Sequence, residues 1–167
     1  RTVEEAREAL SDAVSRLAAA ARIHRRLYDP ELGRAPAGTL IDELVRDILH
    51  AVGRDDVAVT VDVAPVALGL ARLTALAMLA AEATLNAVKH AFTGREGGMF
   101  EVTLRAVEGG WLLRLADDGP GVPEAFDPAS QPSLGMQVIQ SMARQLGGTV
   151  RYLGGDRGTV IEVTFPA

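Results

Sequence analysis

Four polar residues recur near the end of a long, otherwise apolar helical pattern: Glu82, Asn86, Lys89 and His90. At about 100° per residue they fall within one arc of a helix, about 100° wide. One face would then display a carboxylate, an amide oxygen and two cationic or donor groups. A solvated edge of a buried helix is the alternative interpretation, because runs of charge are commonly just exposed faces. Asparagine is unfavourable in the interior of a helix, so its presence here slightly favours the functional interpretation.

Two further motifs consist of turn and glycine residues. Asp117-Asp118-Gly119-Pro120-Gly121 follows a predicted strand, and alone it predicts only a turn. Ser133-Leu134-Gly135-Met136 begins a predicted helix, where free backbone N–H groups and the positive end of the helix dipole favour an anion. The chain has neither a P-loop nor a dinucleotide-binding glycine fingerprint. A phosphate site here must therefore be of another kind.

Periodicity and turn residues place these motifs on a mixed set of helices and strands. Helices are predicted at Val3–Tyr28, Leu40–Ala51, Ala71–Phe92 and Leu134–Leu146. Strands are predicted at Val57–Val63, Phe100–Val107, Trp111–Ala116, Thr149–Leu153 and Val160–Phe165. Helices alternating with antiparallel-looking strands predict an α+β fold, a two-layer α/β sandwich with one helical layer. The first helix precedes this sandwich.

The first helix carries a heptad seam of its own. Its members recur at alternating spacings of three and four residues: Leu10, Val14, Leu17, Ala21, His24 and Tyr28. This pattern predicts a coiled-coil-like dimerisation helix over residues 1–29 and hence a homodimer. Residues 30–38, rich in proline and glycine, are predicted to be a linker, and residues 39–167 to be one further domain.

Composition excludes several classes of function. The 167-residue chain has a formal charge of −5 with scattered basic residues, so no nucleic-acid partner is expected. The absence of cysteine excludes disulfides and thiolate zinc sites. The most apolar stretch, Leu73–Ala81, is far shorter than the roughly 20 residues of a membrane helix, so no membrane contact is expected. Because the chain begins with Arg1, we expect it to be part of something longer.

In order and separation, the three motifs resemble the ATP-binding domain of sensor histidine kinases, whose fold is shared with gyrase-type topoisomerases and mismatch-repair ATPases. EATLNAVKHAF is similar to the N box, DDGPG to the G1 box, SLGM to the G2 box and GTVIEVTFP to the last strand of that fold. The closest resemblance is to the subfamily with an N-A-x-K-H-A-F N box and dimerisation helices ending in I-H-x-x-L-Y, here Ile23–Tyr28. Ser133 departs from the glycine of many relatives, and no phenylalanine-containing lid box is visible.

The resemblance implies a site for ATP and Mg²⁺. Asn86 would ligate the metal through its side-chain oxygen, a hard neutral donor that suits Mg²⁺. Glu82 would hold a water or the acceptor imidazole, while Lys89 and His90 would meet the phosphates. Asp117 would accept a hydrogen bond from the adenine amino group. The remaining implied nucleotide contacts are Gly119, Gly121, Gly135, Met136 and Thr159, and the lid would span Pro123–Ser133.

The function that the resemblance implies is that of the catalytic part of a cytoplasmic two-component sensor histidine kinase. It would transfer the γ-phosphoryl group to a histidine outside this chain and would work with the receiver domain of a response regulator. His24 lies on the seam and His50 near a helix C-terminus, so neither is expected to accept phosphate. The alternatives are an anti-sigma-type serine kinase, which would lack the seam helix, and a docking or phosphotransfer module that has lost ATP. A nucleotide-independent dimerisation domain is the simplest alternative.

Overall fold

The computed structural model describes residues 2–29, 36–122, 133–155 and 158–167, so most of the predicted linker and lid lies outside the described residues. The helices are α1 (Val3–Tyr28), α2 (Ala37–Ala51), α3 (Leu70–Asn86) and α4 (Leu134–Gln145), with a π-helical turn (Ala87–Ala91) continuing α3. The strands are β1 (Val57–Val63), β2 (Gly98–Val107), β3 (Gly110–Asp117), β4 (Thr149–Gly155) and β5 (Gly158–Pro166). Every predicted element is present, with ends shifted by a few residues.

The five strands form one sheet in the order β1-β2-β3-β5-β4. The pairs β2–β3, β3–β5 and β4–β5 are antiparallel, whereas β1 and β2 are parallel. The expectation of antiparallel strands is therefore wrong for β1. The reason is that α3 crosses over between β1 and β2, and such a crossover returns the chain in the same direction. The predicted α+β fold with helices against one sheet is confirmed.

The helical layer of α2, α3 and α4 covers one face of the sheet, with α3 in the middle. Nine residues of α3 are buried, most of them alanine or leucine. This helix is apolar nearly all round because the sheet packs on one side and α1 on the other. Its small side chains let the neighbouring helices approach closely.

Helix α1 lies outside this layer and packs on α2 and α3 through Ala19, Ile23 and Leu27. The predicted seam points the other way: all six of its residues are exposed, Leu17 by 72% and Tyr28 by 63%. Helix α1 therefore has two apolar stripes. One is buried within this chain, and the other has no partner among the described residues.

The predicted helix over 71–92 is α-helical only to Asn86. In the π-helical turn that follows, Phe92 N donates to Ala87 O at 2.9 Å, one residue further along than in an α-helix. The extra residue changes which way the last side chains face. His90 lines a cavity, whereas Lys89 contacts α1. The single stripe expected from α-helical periodicity is thus divided, and π-helical turns of this kind are frequent at functional sites.

Candidate functional site

A cavity of about 360 Å³ lies between α3, the π-helical turn, the sheet and the start of α4. Six of the predicted site residues line it: Asn86, His90, Asp117, Gly121, Met136 and Thr159. The other four, Glu82, Lys89, Gly119 and Gly135, lie around it. Phe100, Leu115, Tyr152 and Ile161 complete an apolar wall. Sequence analysis missed this wall, because inward-facing strand residues look the same whether they face a core or a cavity.

Asp117 stands at one end of the cavity, where β3 ends. Its Oδ1 accepts hydrogen bonds from Gly119 N at 2.9 Å and from Thr159 N at 3.2 Å. Its Oδ2 accepts no hydrogen bond from any residue that the structure describes. Burial raises the pKa of Asp117, and the two backbone donors oppose that rise. One oxygen is thus fixed by the backbone, and the other is available to a ligand that donates.

The rest of the DDGPG motif holds this turn in place. Asp118 Oδ1 accepts from Met99 N at 2.9 Å, and Asp118 Oδ2 accepts from Arg95 Nη2 at 3.0 Å. A Cβ at Gly119 would lie 2.4 Å from Ala91 Cβ, so only glycine allows the turn to pack on the end of the π-helical turn. Gly119 and Asp118 therefore position Asp117, whereas Gly121, at φ +79°, is a lining residue.

The other end of the cavity, at Asn86 and the start of α4, lies next to a place where three helices meet. Gly135 is buried in the first turn of α4, and a Cβ there would lie 2.9 Å from both Arg16 Nη2 and Glu82 Oε2. The same Cβ would lie 3.2 Å from Asn86 Oδ1. Ser133 caps α4, because its side chain accepts from the N–H of Met136 at 3.3 Å. Glycine at 135 therefore lets three polar side chains pack closely against the start of α4.

Glu82 and Arg16 form an ion pair across the α1–α3 interface. Glu82 is only 1% exposed, and its Oε2 accepts from Arg16 Nε at 3.0 Å. Burial raises the pKa of Glu82, whereas the charge of Arg16 opposes that rise. Sequence analysis missed Arg16. A basic residue on a polar helix face gives no signal of a partner 66 positions away.

Lys89 and His90 have separate environments. Lys89 Nζ donates to Asp12 Oδ2 at 2.7 Å and lies 3.4 Å from Glu8 Oε1, and the hydrogen bond to Asp12 raises the pKa of Lys89. Its predicted phosphate contact thus competes with two carboxylates of α1. His90 is largely exposed; partial burial of its ring and the nearby charge of Lys89 lower its pKa. A ring with a lowered pKa is mostly neutral near pH 7.

The donor set fits a magnesium ion that is shared with a ligand. Asn86 is half-buried and lines the cavity, and its side chain makes no hydrogen bond with a described residue. Within the described ranges, no group of three or more His, Cys, Asp or Glu residues is arranged to hold a metal. Mg²⁺ commonly takes one or two protein oxygens together with phosphates. Asn86 meets that requirement when a phosphorylated ligand supplies the other oxygens.

Membrane insertion can be examined from the described helices alone. None of them combines the length and the apolar character that crossing a bilayer requires.

Comparison with known proteins finds one ATPase family profile and curated relatives that are histidine kinases. Residues 71–167 match the profile of the histidine kinase-, DNA gyrase B- and HSP90-like ATPases. The chain is 31% identical to the sensor histidine kinase PdtaS of Mycobacterium tuberculosis over 170 residues, which covers 97% of the chain and 33% of PdtaS. It is 26% identical to blue-light-activated histidine kinase 2 of Erythrobacter litoralis over 132 residues, covering 78% of the chain and 38% of that kinase. The chain thus spans about a third of the length of these curated relatives.

Solved structures agree on the fold. The histidine kinase domain of the blue-light-activated histidine kinase from Erythrobacter litoralis EL346 superposes with a TM-score of 0.77 at 22% identity, covering 93% of this chain and 74% of that one. The Acinetobacter baumannii histidine kinase AdeS gives a TM-score of 0.64 at 18% identity, covering 95% and 79%. The family profile covers more than half of the chain and includes Asn86, Asp117, Gly135 and Thr159. The chain therefore belongs to the histidine kinase-, DNA gyrase B- and HSP90-like ATPase family and carries the ATPase domain of sensor histidine kinases.

Proposed function

We propose that this chain binds Mg-ATP as the catalytic part of a sensor histidine kinase of the N-A-x-K-H-A-F subfamily. The observation that carries the proposal is the Asp117 carboxylate, which lines the cavity with Oδ1 fixed by two backbone N–H groups. Its other oxygen accepts from the exocyclic amine of adenine. Guanine carries a carbonyl at that position, so a buried carboxylate would face an acceptor and lose about 1–3 kcal/mol. The apolar wall of the sheet receives the base.

The phosphates extend from the base towards Asn86 and the start of α4 in this proposal. Asn86 supplies one oxygen to Mg²⁺, which offsets phosphate charge in a protein whose net charge is −5. The backbone N–H groups and the positive dipole end at the start of α4 suit an anion. His90 adds a neutral donor at the cavity wall.

Phosphoryl transfer at such a site depends mainly on positioning and charge neutralisation. Glu82 Oε2 is engaged by Arg16, whereas Oε1 accepts no hydrogen bond from a described residue. We assign to Oε1 the holding of a water or of the acceptor imidazole. The acceptor histidine lies outside this chain. Helix α1 supports the histidine kinase over a serine kinase of the same fold, since such small kinases generally lack a seam helix.

The proposal includes partners and location. The exposed seam of α1 pairs with the same seam of a second copy, because Leu10, Val14 and Leu17 are each more than half exposed and would be buried together. The phosphorylated histidine passes its phosphoryl group to the receiver domain of a response regulator. Consumption of ATP places this work in the cytoplasm.

Nucleotide titration tests the proposed function. We expect the native chain to bind Mg-ATP at least about tenfold more tightly than Mg-GTP, given the cost of an unpaired buried carboxylate. Asp118→Asn is the matched control for Asp117→Asn. The neighbouring carboxylate of Asp118 accepts from Arg95 and Met99, so its loss should not affect base preference. Equal affinity for the two nucleotides would contradict the assignment of Asp117, and no binding of either would contradict the function.

Sedimentation tests the homodimer. Leu17→Glu places a charge on the exposed seam and should shift the chain towards monomer. Val107→Glu, at a 38% exposed valine on strand β2, should leave the association unchanged. A native chain that is monomeric at all accessible concentrations would contradict this part of the proposal.

A further inference from the structure

We propose that Arg16 of α1 is a phosphate-binding residue of the nucleotide site, contributed from outside the ATPase domain. This inference rests on the proposed function and extends it. The region that matches the ATPase family begins at residue 71, so Arg16 lies 55 residues before it. The guanidinium nevertheless lies next to the end of the cavity that the phosphates would occupy, at Asn86 and the start of α4. Arg16 Nη2 would lie 2.9 Å from a Cβ at Gly135, and Asn86 Oδ1 only 3.2 Å from that same point.

The hydrogen bonds of Arg16 leave most of its donors unused. A guanidinium has five N–H groups, and Arg16 uses the one on Nε to bind Glu82. Its two terminal nitrogens make no hydrogen bond with any residue that the structure describes. The side chain is only 17% exposed. Donors that are largely removed from water and unpaired are costly, and a phosphate that accepts from them removes that cost.

Glu82 fixes the orientation of the group. By accepting from Nε, the buried carboxylate leaves the terminal nitrogens free, with Nη2 towards the Gly135 position. The paired charge also makes it feasible to hold a cation in a buried place before the ligand arrives. Arginine suits the task because its planar donors match the oxygens of a phosphate.

Other cations near this end are less suited to the task. Lys89 is held by Asp12 and Glu8, and His90 has a lowered pKa and is mostly uncharged near neutral pH. Arg16 therefore combines a permanent charge, free donors and proximity to Asn86. The consequence is a thermodynamic coupling: a nucleotide that contacts Arg16 stabilises the docked position of α1, and docked α1 strengthens nucleotide binding equally.

The test compares Mg-ATP with AMP in the full 167-residue chain. Arg16→Gln should weaken binding of Mg-ATP about tenfold or more, as expected for a lost charged hydrogen bond, and leave AMP affinity nearly unchanged. Arg26→Gln is the matched control. Arg26 anchors α1 to Glu43 and Asp47 of α2, so its loss loosens α1 without touching the site. It should lower the ratio of the two affinities less than Arg16→Gln does, because Arg16 and its bond to Glu82 remain in place.

Three outcomes decide the matter. An unchanged ratio in Arg16→Gln overturns the inference while leaving the proposed function intact. An equal fall of the ratio in Arg26→Gln also overturns it, because loosened docking alone would then explain the loss. Failure of the native chain to bind nucleotide contradicts the proposed function and takes the inference with it.

A second measurement needs no variant. The Arg16 side-chain Nε–H resonance of the native chain, assigned through the backbone, should shift on addition of Mg-ATP and remain near its starting position with AMP. Equal shifts with the two ligands, or none with either under saturating conditions, would overturn the assignment of Arg16 even if Arg16→Gln does not fold.

Discussion

The two ends of the cavity are built by different means. At the end assigned to the base, Asp117 is held by backbone N–H groups of its own turn and of the neighbouring strand β5. At the end assigned to the phosphates, Asn86, Glu82, Gly135 and Arg16 come from three helices and meet through side chains. Sheet register fixes the first end, and helix packing fixes the second. Movement of α1 should therefore alter phosphate recognition while leaving base recognition intact.

Asp117→Asn should give the largest loss of affinity, because it changes the carboxylate assigned to the adenine base, which every adenine nucleotide carries. The amide can keep the bonds to Gly119 and Thr159 through its oxygen but turns a donor towards the adenine amine. We expect Mg-ATP and AMP both to bind about 10- to 100-fold more weakly. A loss for Mg-ATP alone in isothermal titration would contradict the separation of the two ends.

Asp117→Asn should also change how the stability of the protein depends on pH. Because burial raises the pKa of Asp117 in the folded protein, the native chain loses stability as pH rises from the ordinary carboxyl value of 3.8 through the folded pKa. Asp117→Asn removes that loss, so it should be at least as stable as the native chain at pH 7. The advantage should vanish below pH 3.8, as thermal unfolding at several pH values would show.

Gly135→Ala tests the phosphate end alone. The added methyl group would lie 2.9 Å from Arg16 and Glu82 and would displace one of them. We expect about a tenfold loss of Mg-ATP affinity, comparable to one charged hydrogen bond, and little change for AMP. Gly69→Ala is the control, since a methyl group there meets nothing within 4 Å. Equal losses for the two nucleotides would show that the ends are not independent.

Asn86→Ala tests the contribution of magnesium to ATP binding separately from the other contacts at the phosphate end. Without magnesium the variant should bind ATP much as the native chain does, and with magnesium it should lose most of the metal-dependent gain. Stability without ligand should be unchanged or higher by a few tenths of a kcal/mol, because alanine is the better helix former. Unchanged magnesium dependence in paired titrations would remove the metal-ligand role from Asn86.

Lys89→Gln should give the smallest effect. The ammonium group is already paired with Asp12 and Glu8, so its loss should weaken Mg-ATP binding by no more than about threefold, in keeping with a partly exposed ion pair. Asp12→Asn, by freeing the lysine, should strengthen binding by a similar factor. A loss of more than tenfold in Lys89→Gln would mean that the lysine leaves its α1 partners and contacts phosphate.

Local sequence patterns were sufficient to predict the helices and strands and to recognise the motifs. Turn residues and periodicity predicted every α-helix and strand that the structure describes, because hydrogen bonding within a helix and alternation along a strand act over a few residues. The DDGPG turn and the capped start of α4 at Ser133 were likewise readable, since the bond from Gly119 N to Asp117 and the bond from Met136 N to Ser133 join residues close in sequence. The bonds to the turn from Arg95, Met99 and Thr159 span 19 to 42 positions and could not be predicted in this way. The family followed from the order of these motifs.

Tertiary structure alone decided the partners of charged side chains, the π-helical turn after α3 and the parallel direction of β1 relative to β2. Arg16 meets Glu82 across 66 positions and Lys89 meets Asp12 across 77, and an ion pair between two helices leaves no periodic trace in either. The π-helical turn at Ala87–Ala91 and the parallel pairing of β1 with β2 depend on how α3 packs against its neighbours. Charged residues on a helix face form the same sequence pattern whether water or another helix covers them, so only the packed chain shows that Arg16 of α1 lies beside Glu82 and Gly135.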